Sequence, residues 1–379
     1  MGNGTAPSPE ALSGAILKKL RDAMADKELD VILAMSPENI VYVAGVVPPS
    51  LRTVRSRLAC AVVPAQGSTE LIIVALEKGA VKSASRLDKV TTYREFEQDP
   101  VAAFAASLRA RGLEGSAIGI ETTYLPAASF DLLRKEIPKA KLVSIDDLLA
   151  DVRSIKTVEE IKTIESIGRA AQEIGEESTR FVSAGATEND LAGFITDRYQ
   201  GLGGRLTMLV VGSGPRSALA NAAPTDKVLE RGDTVRIDVI GTRDNYCSDV
   251  ARTAVVGEPS AEQESLFRTL KEVHERILSS LRPGVRTDKL YAIYRDAMEA
   301  AGLPYYHFVG HGLGITLHED PFVRDGLSVA LAPNMVLCIE PLALVEGSHG
   351  MQIEDEVLIT PDGCRLLTEA GDLLRIEAP

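Results

Sequence analysis

The sequence lacks the marks of several protein classes. Its four cysteines, Cys60, Cys247, Cys338 and Cys364, are scattered over 379 residues without a CxxC pair. That spacing suits reduced thiols in a cytoplasm better than a disulfide framework. No apolar run approaches the roughly 20 residues that span a bilayer, so no membrane association is expected. The opening MGNGTAPSPE has no basic stretch followed by an apolar one, so no signal peptide is expected. Ala6 stands where a myristoylation motif requires Ser or Thr, and the stretch reads as a disordered tail. There is no internal repeat and no low-complexity segment. Gly212-Ser213-Gly214 has neither the Lys of a phosphate loop nor the full dinucleotide fingerprint. No G-x-S-x-G nucleophile elbow occurs. Basic charge is also short: 41 Lys and Arg against 54 Asp and Glu give a net charge of −13, which argues against a nucleic-acid partner.

What is present is a chain long enough for two domains. Residues 10–150 alternate helical and strand patterns, as an α/β domain does. Leu12, Ile16, Leu20 and Met24 recur every four residues, which predicts a helix over 11–27. Strands are expected at Asp30–Met35, Leu58–Pro64, Glu70–Ala75, Ala117–Glu121 and Lys141–Ile145. Ser36-Pro37 reads as a helix cap followed by a first-turn proline. The boundary falls near Asp151–Lys156, and a second domain covers 155–379. Thr157-Val158-Glu159-Glu160 is a capping box opening a long helix. Another helix follows Thr187-x-x-Asp190. Strands then dominate, interrupted by helices near 261–280 and 287–301, which indicates an α+β domain with a curved antiparallel sheet.

Within that second domain, five residues carry chemistry: Asp238, Asp249, His311, Glu340 and Glu354. Four carboxylates balance two divalent cations, and oxygen ligands with one imidazole suit Mn, Co or Zn. In Thr234–Ile240, Val235, Ile237 and Val239 alternate with Asp238, so the carboxylate leaves by the opposite face. Residues 242–246 read as a hairpin turn that returns Asp249 towards Asp238. Glu340 ends an apolar strand, where an unpaired charge is costly. Gln352, Glu354 and Glu356 share one strand face. His307 and His311 also share a face if 307–311 is a strand; Gly310, Gly312 and Gly314 disfavour a helix there and permit close backbone approach. His274 reads as an exposed helical residue. Arg52, Arg55 and Arg57 form a basic loop that either is simply solvated or binds a substrate carboxylate.

The stretches Ile237-Asp238, Cys247–Thr253, Gly310-His311-Gly312-Leu313-Gly314, His318-Glu319, Ile339-Glu340-Pro341 and Ile353-Glu354-Asp355 resemble the pita-bread metallopeptidases, in order and spacing, over about residues 155–360. Ser36–Ile40 resembles the creatinase-type N-terminal domain more loosely. The proline-peptidase branch, with Xaa-Pro dipeptidase (prolidase) and aminopeptidase P, fits better than methionine aminopeptidase, which usually lacks such a domain. The resemblance implies an α+β, C-terminal pita-bread domain behind a smaller α/β creatinase-type domain.

It further implies that Asp249 and Glu354 bridge two metal ions. Asp238 would complete one site, and His311 and Glu340 the other. Glu340 would serve as general base, and His307 and His318 would contact substrate and stabilise the tetrahedral intermediate. The implied reaction is hydrolysis of an amide C–N bond by a hydroxide bridging the ions, in an Xaa-Pro dipeptide or a small peptide with proline second. A homodimer is implied, in which the arginine loop reaches a neighbour's site. Two positions depart from the pattern: Asn221 stands where a His is frequent, and Gln352 where an Arg is usual. These motivate an alternative on the same metal site, a non-peptide C–N hydrolase of ectoine-hydrolase type. A non-catalytic binding module is a third reading, disfavoured by the complete ligand set.

Overall fold

The computed structural model describes residues 9–369 and 371–378; the opening tail lies outside them. The chain divides into two compact units, Met1–Arg153 and Ser154–Pro379. In the first, α1 (Pro9–Asp26) leads to β1 (Val31–Ala34) and α2 (Pro37–Ala44). There follow β2 (Cys60–Pro64), β3 (Glu70–Val74), α3 (Lys78–Ala84), β4 (Lys89–Tyr93), α4 (Pro100–Ala110), β5 (Ala117–Ile120), α5 (Ala127–Glu136), β6 (Lys141–Ser144) and α6 (Asp146–Ser154). One mixed sheet of order β4-β3-β2-β1-β5-β6 carries the unit. The Ser36 hydroxyl caps α2 by accepting from Asn39 N, with Pro37 in the first turn. Strand β4 is an addition to the expected strands, since its mixed Lys-Val-Thr-Thr-Tyr pattern carries no clear alternation.

The second unit opens with α7 (Val158–Phe181) and α8 (Glu188–Gly201), both begun by capping boxes, Thr157 with Glu160 and Thr187 with Asp190. Next come β7 (Arg205–Ser213), β8 (Thr234–Arg243), β9 (Tyr246–Val256), α9 (Ala261–Ser280) and α10 (Thr287–Ala300). Seven short strands follow β10 (Phe308–Gly312): β11 (Glu319–Arg324), β12 (Val336–Ile339), β13 (Leu342–Val345), β14 (His349–Gln352), β15 (Asp355–Thr360), β16 (Gly363–Leu366) and β17 (Leu374–Ile376). They pair as a four-stranded sheet, β17-β9-β8-β7, a five-stranded sheet, β11-β10-β12-β15-β16, and the β13-β14 hairpin.

Each large sheet has a helix pair against one face. Val235, Ile237 and Val239 of β8 pack with Ala171 and Ile174 of α7 and Leu191 and Ile195 of α8. Leu337, Ile339, Val357 and Ile359 pack with Leu266 and Leu270 of α9 and Leu290 and Tyr294 of α10. Strand alternation therefore sends the intervening residues, Asp238 on β8 and Cys338 on β12 among them, to the opposite faces. Those faces carry the polar centre. Among the described residues no helix is long and apolar enough to cross a membrane.

Candidate metal centre

Strands β8 and β9 form a hairpin whose two turn residues, Asp244 and Asn245, have φ of 53° and 69°. Two successive left-handed residues match the twist of the flanking strands. The register sets Asp238 opposite Ala251 and Ile240 opposite Asp249. Both aspartates thus leave one face, two residues apart along the ladder, and their carboxyls adjoin. On the other sheet His311 lies directly opposite Cys338. That approach needs glycine at 310, where a Cβ would strike the Cys338 carbonyl. Glu340 follows β12, its N–H held by Val309 O, and Glu354 lies between β14 and β15.

All five side chains converge. His311 Nε2 is 3.5 Å from Asp249 Oδ2, 3.4 Å from Glu340 Oε1 and 3.9 Å from Glu354 Oε1. Its Nδ1 lies 3.0 Å from Gly312 O, and because a carbonyl only accepts, Nδ1 carries the proton. The Nε2 lone pair therefore faces carboxylate oxygens that are also acceptors. One oxygen each of Asp238, Asp249, Glu340 and Glu354 is buried without a hydrogen-bond partner among the described residues. Acceptors aimed at acceptors in a dry pocket fit a cation. Cys338 Sγ also belongs to the group: its sulfur and single donor atoms of Asp249, His311 and Glu354 lie within 4.8 Å of one another.

The electrostatics agree. Burial, then the neighbouring Asp238 and Glu340 carboxylates, drives the Asp249 carboxyl well above its ordinary range. Burial and then Asp249 do the same to Glu354. Burial and Asp238 push Glu340 up to about 8. Burial, and next the ring of His318, lowers His311 to about 3, so it stays neutral. Without cations every one of these groups is driven towards its uncharged form.

Gln352 reaches this group, as its strand face requires: Nε2 donates to Glu354 Oε2 at 3.1 Å and Glu340 Oε2 at 3.4 Å. His318 is exposed and packs against His311, with ring centroids 4.0 Å apart and planes inclined by 38°. Its position is fixed by the next residue: Glu319 accepts from Ile315 N and Thr316 N and pairs with Lys156 at 2.8 Å. His307 is exposed at the entrance to β10 and Asn221 is exposed in the segment after β7. Among the described residues no hydrogen bond or ring contact joins the side chain of either to the centre. The arginine loop belongs to the first unit. There Arg57 is closed on Glu95 by two bonds of 2.9 and 2.8 Å, which narrows the carboxylate-binding reading to the exposed Arg52 and Arg55.

Two neighbours of the centre are not evident from the sequence. His274, expected to be exposed, is buried, with Nε2 3.5 Å from Asp355 Oδ2. Asp355 accepts from Arg252, whose Nη1 donates to Glu354 O. Arg236 is buried and donates to Gln352 Oε1 at 2.8 Å. The parity that singles out Asp238 places Arg236 on the same face, two residues earlier.

The sequence pattern described as "Metallopeptidase family M24" matches residues 162–361, and that of the "Creatinase/Prolidase N-terminal domain" matches 16–155. The chain belongs to metallopeptidase family M24. It is similar to an Xaa-Pro dipeptidase of Pyrococcus horikoshii, 29% identical over 361 residues, covering 93% of this chain and 96% of that one. The structure of dipeptidase PepE from Mycobacterium ulcerans superposes with a TM-score of 0.85 at 25% identity, over 99% of this chain and all of that one. A recombinant prolidase from Thermococcus sibiricus gives a TM-score of 0.83 at 26% identity, covering 96% and 99%. The fold is the pita-bread domain preceded by a creatinase-like domain. Membership implies divalent metal ions and makes the chain a metallopeptidase-type hydrolase. Peptide hydrolysis is favoured over the non-peptide alternative.

Proposed function

We propose that Asp238, Asp249, His311, Glu340 and Glu354 hold two divalent ions, Mn, Co or Zn, and that the chain cleaves the Xaa-Pro bond of dipeptides or short peptides. The observation that carries this reading is the meeting of Asp249, Glu340 and Glu354 carboxylate oxygens at the His311 Nε2 lone pair, with Asp238 adjoining Asp249 and one oxygen of each of the four carboxylates buried without a hydrogen-bond partner among the described residues. Ions in such a site supply Lewis acidity, polarising the scissile carbonyl and making water nucleophilic at neutral pH. By the family resemblance, Asp249 and Glu354 would be shared by the two ions, Asp238 would serve one, and His311 and Glu340 the other. Glu340 accepts the proton of the attacking water and returns it to the leaving nitrogen. His318, held over the His311 ring by the Glu319 clamp, and His307 donate to the developing oxyanion. Asn221 and Gln352 shape recognition of the remainder of the substrate, and Arg52 and Arg55 bind a substrate carboxylate in a neighbour's site. The relatives named Xaa-Pro dipeptidase and prolidase support the substrate class. The resemblance supports a cytoplasmic homodimer, which light scattering of the purified protein tests for assembly.

The deciding experiment is a panel of Xaa-Pro dipeptides, longer peptides and cyclic amides, with Mn, Co or Zn restored to stripped protein. Metal-dependent turnover of Ala-Pro or Met-Pro is the expected outcome. Turnover confined to cyclic amides would overturn the peptide reading, and absence of metal uptake would overturn the metal centre.

A further inference from the structure

Arg236 and Gln352 form a relay into the centre. Arg236 lies opposite Thr253 across the β8–β9 hairpin. Thr253 Oγ1 accepts from Gln352 N at 3.0 Å and donates to Gln352 O at 2.9 Å, which fixes the backbone of residue 352 beside Arg236. The Gln352 side chain is then held at both ends. Its oxygen accepts from Arg236 Nη1, and its NH2 faces Glu354 and Glu340. A guanidinium only donates and ionised carboxylates only accept, so the amide has one favourable orientation. Turned over, it would set its oxygen against two carboxylates and its NH2 against the guanidinium.

The other bonds of Arg236 go from Nε to Ser217 O at 3.1 Å, and from Nη2 to Ala220 O at 2.6 Å and to Leu219 O. Among the described residues, all four hydrogen-bond acceptors of this guanidinium are neutral. It is only 2% exposed. No single carboxylate neutralises it, and its field falls on Asp238, Glu340 and Glu354 together.

We propose that Arg236, acting through Gln352, is a positioning residue that turns one oxygen each of Glu340 and Glu354 away from His311 and leaves the other free for metal. The same guanidinium anchors the segment 217–220 immediately before Asn221. This inference rests on the reading that the five residues hold metal.

The test is calorimetric titration of stripped protein with Mn2+, accompanied by circular dichroism to verify folding. Gln352→Leu breaks the relay and leaves the three carbonyl contacts of Arg236 in place. It weakens Mn2+ binding about 10- to 100-fold, the range for losing an outer partner of a metal ligand. Arg236→Met does the same, and the double variant is no weaker than either single one, because both remove one relay. Arg236→Met combined with Gln352→Arg, which brings a guanidinium directly to position 352, recovers most of the affinity. At saturating Mn2+ the single variants lower kcat on Ala-Pro with little change in KM. If Arg236→Met does not fold, Arg236→Lys replaces it, keeping the charge without the fork, and loses about tenfold in affinity. Parent-like Mn2+ binding in folded Gln352→Leu, or additive losses in the double variant, would overturn the relay. A lowered melting temperature with unchanged Mn2+ binding in the Arg236 variants would make Arg236 a loop anchor only. If the parent itself binds none of Mn2+, Co2+ and Zn2+, it is the metal-centre reading that falls.

Discussion

Asp249, a proposed metal ligand, is expected to act on stability and on metal binding with opposite signs. Its carboxyl is buried against Asp238, with Glu340 and Glu354 nearby, so in the metal-free chain it must either repel its neighbours or take up a proton. Asp249→Asn removes that cost at almost constant shape. The metal-free variant is expected to melt higher than the metal-free parent at pH 8. It is also expected to lose more than about 100-fold in Mn2+ affinity, beyond the loss for an outer partner. Melting curves and titrations on the same two samples check both signs. Gly168 gives a second test at this scale: a Cβ there would strike the buried Glu356 carboxylate, whose Oε1 accepts from Asp249 N at 3.1 Å. Gly168→Ala is expected to cost about 1–3 kcal/mol by overpacking, measured by denaturant unfolding. Of the proposed ligands, Asp238 stands out in the sequence because an acid inside an apolar alternation must meet a cation or lose its charge, whereas the full set of five is read through the family resemblance. Arg236 obeys the same parity yet stays hidden, because an arginine in a strand ordinarily reads as solvated. His274 is illegible for a different reason: its helix shows only which side is apolar. That its imidazole meets Asp355 depends on the packing of α9 against β14 and the segment after it.

At the scale of elements, legibility follows local chemistry. Helices α7 and α8 are marked by capping boxes, and α2 by Ser36-Pro37, all interactions within four residues. The β8–β9 hairpin is marked by alternation around a polar turn. The run of short strands from β11 to β16 is less legible, since its pairings, such as β12 with both β10 and β15, join residues far apart in sequence. The loop between β10 and β11 shows how such a join is secured. Lys156 and Glu319 are 163 residues apart and form a buried pair, and Glu319 in turn ties down Ile315 and Thr316 below His318. Lys156→Met removes the cation facing this carboxylate. A destabilisation of about 3–5 kcal/mol is expected from chemical denaturation, because the remaining buried charge is then poorly compensated. Lys156→Met/Glu319→Gln is expected to recover part of that loss, whereas a loss due to packing alone would be retained.

For the whole molecule, the buried acids set how stability and metal affinity vary with pH. Among the carboxyls held low outside the centre are Glu70 and Asp146. Burial raises Glu70, but hydrogen bonds from Arg111, Ser107, Thr91 and Lys89 outweigh it and bring the group to about 2. Burial opposes, and bonds from Thr122, Thr123 and Ser144 outweigh, at Asp146, also about 2. Their stabilisation is present above the ordinary carboxylate range and is lost as pH falls from there towards 2. The centre behaves in the opposite sense. An unfolded Glu340 releases its proton near 4.5, whereas the folded, metal-free one holds it to about 8, and Asp238, Asp249 and Glu354 are shifted the same way. Between those values the folded chain binds more protons than the unfolded chain. Stability of the stripped protein therefore falls as pH rises from about 5 to about 8, by up to roughly 1.4 kcal/mol per pH unit for each proton held. Bound cations reverse the logic by replacing those protons. Metal binding is expected to release protons throughout this window, so affinity climbs with pH across it. Titrating stripped protein with Mn2+ at pH 6, 7 and 8, in buffers of different ionisation enthalpy, measures the protons released. Proton release at each pH, with a metal-free melting temperature that falls over the same interval, is the expected pair of results. A metal-free melting temperature that rises across that interval would mean that the carboxylates are already ionised and compensated within the fold.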